Sequence, residues 1–177
     1  DAIRFIYDIR NNGYSSVPVG DKVAVIGMGM TAIDAATQAK RLGAKEVTLV
    51  YRRTQDEKPC TEAELDLAKL DGCHVIWLAA PKEVKGENAR PDDPVRRGKV
   101  KELVCSVMTL GEPDASGRRS PVDTGETFTL AVDMVIKAAG QVPFERLIND
   151  NKLENKNGKL IMMVEDDDDN DADDSTT

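Results

Sequence analysis

Val23-Ala-Val-Ile-Gly27-Met-Gly29-Met-Thr-Ala32-Ile-Asp-Ala-Ala36 is the stretch on which the reading of this chain turns. Lys22 to Ile26 is a continuous β-branched run of the kind that forms a buried strand, and glycines end it. A helical stretch follows from about Thr31 to Leu42 and closes at Gly43. The spacing between the two is Gly-x-Gly-x-x-Ala, in the strand-to-helix context that gives the pattern its meaning. Gly27 permits the tight turn, and Gly29 lets the backbone come close to a pyrophosphate. Ala32 is small enough for the helix to pack tightly on the sheet. The helix N-terminus offers unpaired N–H groups and a partial positive charge to an anion. Val47 to Tyr51 is a second strand, so the segment is a βαβ unit with parallel strands.

The end of that second strand carries Tyr51-Arg52-Arg53 where NAD-specific relatives of the motif place an Asp or Glu for the ribose hydroxyls. A guanidinium there meets a 2′-phosphate with charge-assisted hydrogen bonds, and no carboxylate repels it. NADPH is therefore expected over NADH. Further along, a helix is predicted from about Thr61 to Leu70, with Gly72 beyond its end, then a strand from His74 to Leu78. Strand-like runs at 83–85, 99–110 and 127–131, separated by polar stretches, predict an antiparallel meander. Asp133 to Lys137 reads as one more strand, ending in Ala138-Ala139-Gly140-Gln141, with a short helix from Pro143 to Asn151. Upstream, residues 1–12 read as an amphipathic helix with Ile3, Phe5, Ile6 and Ile9 toward one side, leading into a turn-rich stretch from Asn11 to Asp21.

At 177 residues and 40% hydrophobic, the chain suits one domain with a real core. The net charge of -8 comes from the last thirteen residues, where Glu165, Asp166 to Asp169, Asp171, Asp173 and Asp174 stand together; without those eight the remaining 24 acids balance 24 Lys and Arg. The body of the chain thus shows neither a nucleic-acid surface nor a membrane-binding basic patch, and the tail is too charged to pack. It also lacks the glycine and glutamate spacing of a calcium loop. Cys60, Cys73 and Cys105 are odd in number and lack a Cys-x-x-Cys, so a disulfide framework, a zinc ribbon or an iron–sulfur site is not expected. No apolar run approaches the roughly 20 residues of a membrane span. Reduced thiols point to a cytoplasmic protein. His74, the sole histidine, lacks a nucleophile or carboxylate in a catalytic pattern, and Arg96-Arg97 and Arg118-Arg119 read as surface pairs.

From Asp1 to about Val164 the chain resembles the small (beta) subunit of NADPH-dependent glutamate synthase and the related NADPH lobe of dihydropyrimidine dehydrogenase. The resemblance is carried by Val23 to Ala36, by Arg41 to Arg53 (RLGAKEVTLVYRR), by Glu57-Lys58-Pro59, by Leu110 to Arg118 (LGEPDASGR) and by Val135 to Gln141 (VIKAAGQ). It implies an α/β, three-layer, Rossmann-like FAD/NAD(P)-binding domain, with a parallel sheet, a helix layer and a β-meander on the other face. It also implies that NADPH delivers a hydride to FAD, with electrons passing on through iron–sulfur clusters. Carried over, Gly27, Gly29, Met30, Thr31 and Ala32 are the phosphate loop, Arg52 and Arg53 the 2′-phosphate clamp, and Ala139, Gly140 and Gln141 the stretch near the nicotinamide. The family has a small residue in place of Met28 and often Asn in place of Met30, so contacts there run through the backbone.

The family's FAD fingerprint, its Gly-Gly-Asp flavin contact and its cysteine clusters have no counterpart in this sequence. The expectation is an NADP(H)-binding domain over 1–164, with 1–20 as lead-in and 165–177 as an acidic tail, partnered by FAD-binding lobes outside the chain and lacking catalytic residues of its own. Its oligomeric state is not encoded in any motif. Two other readings compete: an assembly module that does not bind nucleotide productively, and a complete small enzyme reducing a diffusible acceptor, for which no acid, base or redox residue is positioned.

Overall fold

The computed structural model describes residues 1–13, 15, 17–87 and 99–140, together with the backbone at 155–156 and 159–160. The chain divides into two units, Asp1–Gly140 and Gln141–Thr177. Within the second, Asn155–Lys156 and Lys159–Leu160 pair antiparallel, Asn155 opposite Leu160. The helix expected from Pro143 to Asn151, residue Gln141, the domain limit at 164 and the acidic tail lie outside the described residues.

The first unit is built on a four-stranded parallel sheet. β1 (Lys22–Ile26), β2 (Glu46–Val50), β3 (Cys73–Ile76) and β7 (Met134–Lys137) lie in the order β3-β2-β1-β7. The alternation of side chains along these strands decides which layer each residue joins. Val23, Val25, Val47, Leu49 and Ile136 face a core shared with the helices; Ala24, Ile26 and Val50 face the other way. Buried on both faces from Val23 to Ile26, β1 reads as a near-continuous apolar run, which is why its position is legible in the sequence.

Three helices cover the first face. α1 (Ala2–Asn12) is capped by the Asp1 carboxylate, which accepts from the amides of Ile3 and Arg4, and it buries Ala2, Phe5 and Ile9. The expected apolar side is corrected at one place: Ile3 is exposed. The buried stripe runs through 2, 5 and 9, and Ile3 lies about 100° around the helix from Ala2. α2 (Met30–Arg41) connects β1 to β2, and α3 (Glu62–Leu70) connects β2 to β3. Thr61 caps α3 in a reciprocal box with Glu64.

The second face is covered by an antiparallel meander of β4 (Ala79–Glu87), β5 (Lys99–Pro113) and β6 (Arg119–Ala131). Leu103, Cys105, Ala79 and Val132 form its buried contribution, with Phe128 and Leu130 packed alongside. Three layers result, as the sequence implies. The meander strands are longer than their apolar runs indicate, because the outer halves of β4 and β6 are exposed and carry little apolar alternation. At the N-terminal end of the sheet, Asp133 accepts from the amides of Asp21 and Lys22 through its two carboxylate oxygens, both at 2.9 Å, and so ties the start of β7 to the start of β1. Among the described residues no helix is long and apolar enough to cross a membrane.

Candidate functional site

Parallel register places the C-terminal ends of β1, β2 and β7 side by side, with Ile26 opposite both Val50 and Lys137. Loops leaving that edge are where ligands bind in open α/β sheets. Gly27 is the first residue beyond β1. Its amide donates to the Val50 carbonyl at 3.0 Å, and the Ala138 amide donates to the Ile26 carbonyl at 2.9 Å. With φ at +133° and the Ala138 carbonyl oxygen 2.5 Å from where a Cβ would lie, Gly27 is required both by conformation and by close approach to the end of β7.

Gly29 differs. Its backbone is ordinary extended chain (φ -84°, ψ 174°), and a Cβ there would come no closer to the protein than 4.0 Å, at Pro59 Cγ. Nothing among the described residues requires a glycine at this place. The space beside it is open, at the N-cap of α2, and among the described residues no side chain caps that helix. Ala32 and Ile33 donate to the Gly29 carbonyl, so the amides of Met30 and Thr31 stand ahead of the first hydrogen bonds of the helix. No acid lies in the first turn, while Lys40 and Arg41 occupy the last, which suits an anion at the N-terminus. Ala32 is fully buried against the sheet, Met28 is buried in the helix-side core, and Met30 is exposed.

After β2 the chain turns through Tyr51, Arg52 and Arg53 into a single 3-10 turn at Gln55–Glu57. Thr54-Gln-Asp-Glu57 is a capping box: the Glu57 carboxylate accepts from both the amide and the hydroxyl of Thr54. Tyr51 donates its hydroxyl to the Glu57 carbonyl at 2.8 Å and packs edge-on to Trp77, 6.0 Å between ring centres. The two arginines part company here. Arg52 is exposed, whereas Arg53 is only 9% exposed, and its buried Nε has no hydrogen-bond partner among the described residues. Glu57 is held below the ordinary carboxylate range, first by the Thr54 hydroxyl and amide against an opposing desolvation, then by the positive charges of Arg119 and Arg53.

At the end of β7, Ala138 is half-buried, and Ala139 and Gly140 are exposed on the same edge as Gly27. Gly27, Gly29, Met30, Thr31 and Ala32, both arginines, Ala139 and Gly140 thus follow strands that end at the same edge of the sheet. His74 is exposed on β3. Two features escaped the sequence reading. The Thr54 to Glu57 box has a local signal, Thr-x-x-Glu, ahead of a turn rather than a long helix. The anchoring of Arg119, read from the sequence only as a surface arginine, on the Leu110 and Gly111 carbonyls has none, since only folding of the β5–β6 hairpin brings them together.

An open parallel sheet with helices on one face, a meander on the other and a glycine-lined, uncapped helix N-terminus at its C-terminal edge is the Rossmann-like architecture of FAD/NAD(P) oxidoreductases. Residues 8–169 match the pyridine nucleotide-disulphide oxidoreductase family, and the chain belongs to it. It is 40% identical over 148 residues to the beta subunit of an NADPH-Fe(3+) oxidoreductase of Geobacter sulfurreducens, covering 81% of this chain and 21% of that protein. It is 37% identical over 125 residues to the glutamate synthase [NADPH] small chain of Azospirillum brasilense, covering 70% of this chain and 24% of that one. The chain therefore spans about a fifth to a quarter of the length of these curated relatives. Among solved structures it superposes on Mycobacterium tuberculosis FprA in complex with NADPH with a TM-score of 0.54 at 22% identity, covering 69% of this chain and 39% of that one. It matches T. acidophilum thioredoxin reductase with a TM-score of 0.55 at 18% identity, covering 77% of this chain and 36% of that one. These two likenesses speak for the fold, and the resemblance to glutamate synthase small subunits is borne out by the sequence relatives.

Proposed function

We propose that this chain is an NADP(H)-binding domain of a glutamate synthase small-subunit-like oxidoreductase, presenting the nicotinamide to an FAD held by lobes outside it. The observation that carries the reading is the pairing, on one sheet edge, of an uncapped α2 N-terminus with a buried arginine whose Nε lacks a partner. The residues present fit the cofactor. Gly29 leaves room for a pyrophosphate, and the Met30 and Thr31 amides and the helix dipole favour its charge. Arg52, exposed, and Arg53, buried with its Nε unpartnered among the described residues, suit a 2′-phosphate, whose oxygens a guanidinium can meet with paired hydrogen bonds. Ala139, Gly140 and Gln141 follow β7 and would border the nicotinamide. Bound NADPH would supply a hydride for the flavin; the residues of this chain bind and orient it and supply no proton. The three free, buried thiols suit a reducing, cytoplasmic compartment.

Titration of the chain with NADPH and with NADH tests the reading, followed by heat or by the fluorescence of Trp77, which stands against Tyr51 at the end of β2. The expected result is a preference for NADPH of more than about tenfold, roughly 1.4 kcal/mol, which Arg52→Gln with Arg53→Gln abolishes. Equal affinities in the unaltered chain would remove the arginine clamp. Binding of neither nucleotide would favour the assembly-module reading.

A further inference from the structure

The methionines of this chain are unequally placed. Among the described residues Met28 is 1% exposed in the helix-side core, and Met108 and Met134 are half-buried in strands. Met30 is 65% exposed, although it lies only two residues from Met28. It is the first residue of α2, directly after Gly29, whose flank is open, with Pro59 Cγ at 4.0 Å the nearest atom to a Cβ placed there. An exposed thioether is open to oxidants that do not reach a core methionine. The helix end beside it carries amides at Met30 and Thr31, with no side-chain cap among the described residues.

We propose that Met30 is an oxidation site that governs nucleotide binding, its conversion to the sulfoxide by a hydroperoxide closing the α2 N-terminus to the pyrophosphate. The proposal rests on the nucleotide reading given above. In the reaction the Met30 sulfur attacks one peroxide oxygen, and an S–O bond forms as the O–O bond breaks. An electron pair passes from sulfur to the peroxide, which is reduced to water or an alcohol, and the proton of the transferred oxygen goes to the departing one. The product exchanges an apolar tip for a strong hydrogen-bond acceptor. Its oxygen stands as many bonds from Cα as the amide oxygen of a glutamine, a side chain that in capping boxes reaches back to a free amide at a helix start. From the first position of α2 the sulfoxide can therefore cap its own helix, occupying the Met30 or Thr31 amide that the pyrophosphate needs. Its partial negative charge also competes with the phosphates for the helix dipole.

The test treats the full chain with hydrogen peroxide, locates the added oxygen by peptide mass spectrometry, and measures the dissociation constants of NADPH and NADH before and after. Met30 should be oxidised ahead of Met28. Both nucleotides should then weaken by about three- to tenfold, and equally, because both carry the pyrophosphate. Methionine sulfoxide reductases of both epimer specificities should restore binding. Met30→Leu, compared with its own untreated sample, should keep its affinity through the same exposure. The urea midpoint of the oxidised chain should not fall, because the sulfoxide lies in solvent and adds a cap. Oxidation of Met28 first, an equal loss in Met30→Leu, or a loss that comes with a lower midpoint overturns the proposal, as does an oxidised Met30 with unchanged affinity. Each of these leaves the proposed function standing. Failure of the untreated chain to bind either nucleotide overturns both.

Discussion

The two glycines of the turn after β1 should fail in opposite ways when replaced by alanine. At Gly27 a methyl group must be accommodated 2.5 Å from the Ala138 carbonyl oxygen, in a backbone held at φ +133°. The conformational penalty for an L-residue there is about 1–2 kcal/mol, and overpacking against backbone adds about 1–3 kcal/mol. Gly27→Ala should therefore destabilise the fold by about 3 kcal/mol. With a urea slope of about 2 kcal/mol per molar, the unfolding midpoint would fall by roughly 1.5 M. At Gly29 the backbone is one that alanine adopts freely, and the methyl group meets only Pro59 Cγ at 4.0 Å. Gly29→Ala should leave the midpoint within about 0.3 M of the parent, an energy of about 0.5 kcal/mol. It should nonetheless weaken NADPH by more than about tenfold, because the methyl occupies the space the pyrophosphate needs. Urea melts followed by circular dichroism, with NADPH titrations of each variant, separate the two. An unchanged midpoint for Gly27→Ala would refute the argument from close approach. Unimpaired NADPH binding by Gly29→Ala would refute the assignment of the open space to a phosphate.

Other outcomes follow from the core. Burial pushes the Cys73 and Cys105 thiols up to about 11 each, and Cys60 upward as well. Cys73 and Cys105 should stay unlabelled by iodoacetamide at pH 8 in the native chain and react once urea unfolds it. Between the ordinary thiol value of 9.0 and about 11 the unfolded chain has released protons that the native chain retains, so stability falls as pH rises through that window. Urea midpoints measured from pH 8 to pH 11 should decline, and Cys73→Ser should shrink the decline; a flat profile would show that these thiols titrate normally. Leu65→Ala, at a fully buried position where α3 meets the sheet, should cost about 2–5 kcal/mol in a urea melt, and a cost below about 1 kcal/mol would show the site to be loosely packed.

Much of the fold could be read from the chain because buried parallel strands and glycine-ended helices leave strong local signals. β1 matches its expected limits residue for residue, and the helix ends at Gly43 and Gly72 follow the same logic. Where local signals are weak the reading stopped short. The strand expected from His74 to Leu78 ends at Ile76, because Leu78 turns left-handed to bond Arg53 and Met108. β6 starts at Arg119 rather than near Thr127, since residues such as Pro121 and Asp123 are placed by pairing with β5 and not by any apolar period. Ile3 was assigned to the wrong side of α1 because a cluster of isoleucines does not by itself fix the phase of a helix. At the site, the spacing of Gly27, Gly29 and Ala32 was local and legible. The difference in burial between Arg52 and Arg53 was not, because it depends on how the following turn folds over β2.

The Asp133 clasp has a consequence for change in this protein. The strands are registered at the N-terminal end of the sheet, where one carboxylate holds the amides of Asp21 and Lys22. The proposed nucleotide contacts lie at the opposite end of the same strands. On that proposal, exchanging Arg52 and Arg53 for other side chains would alter nucleotide preference without loosening the clasp, so cofactor choice could be rewritten at one end of the sheet while its alignment is secured at the other.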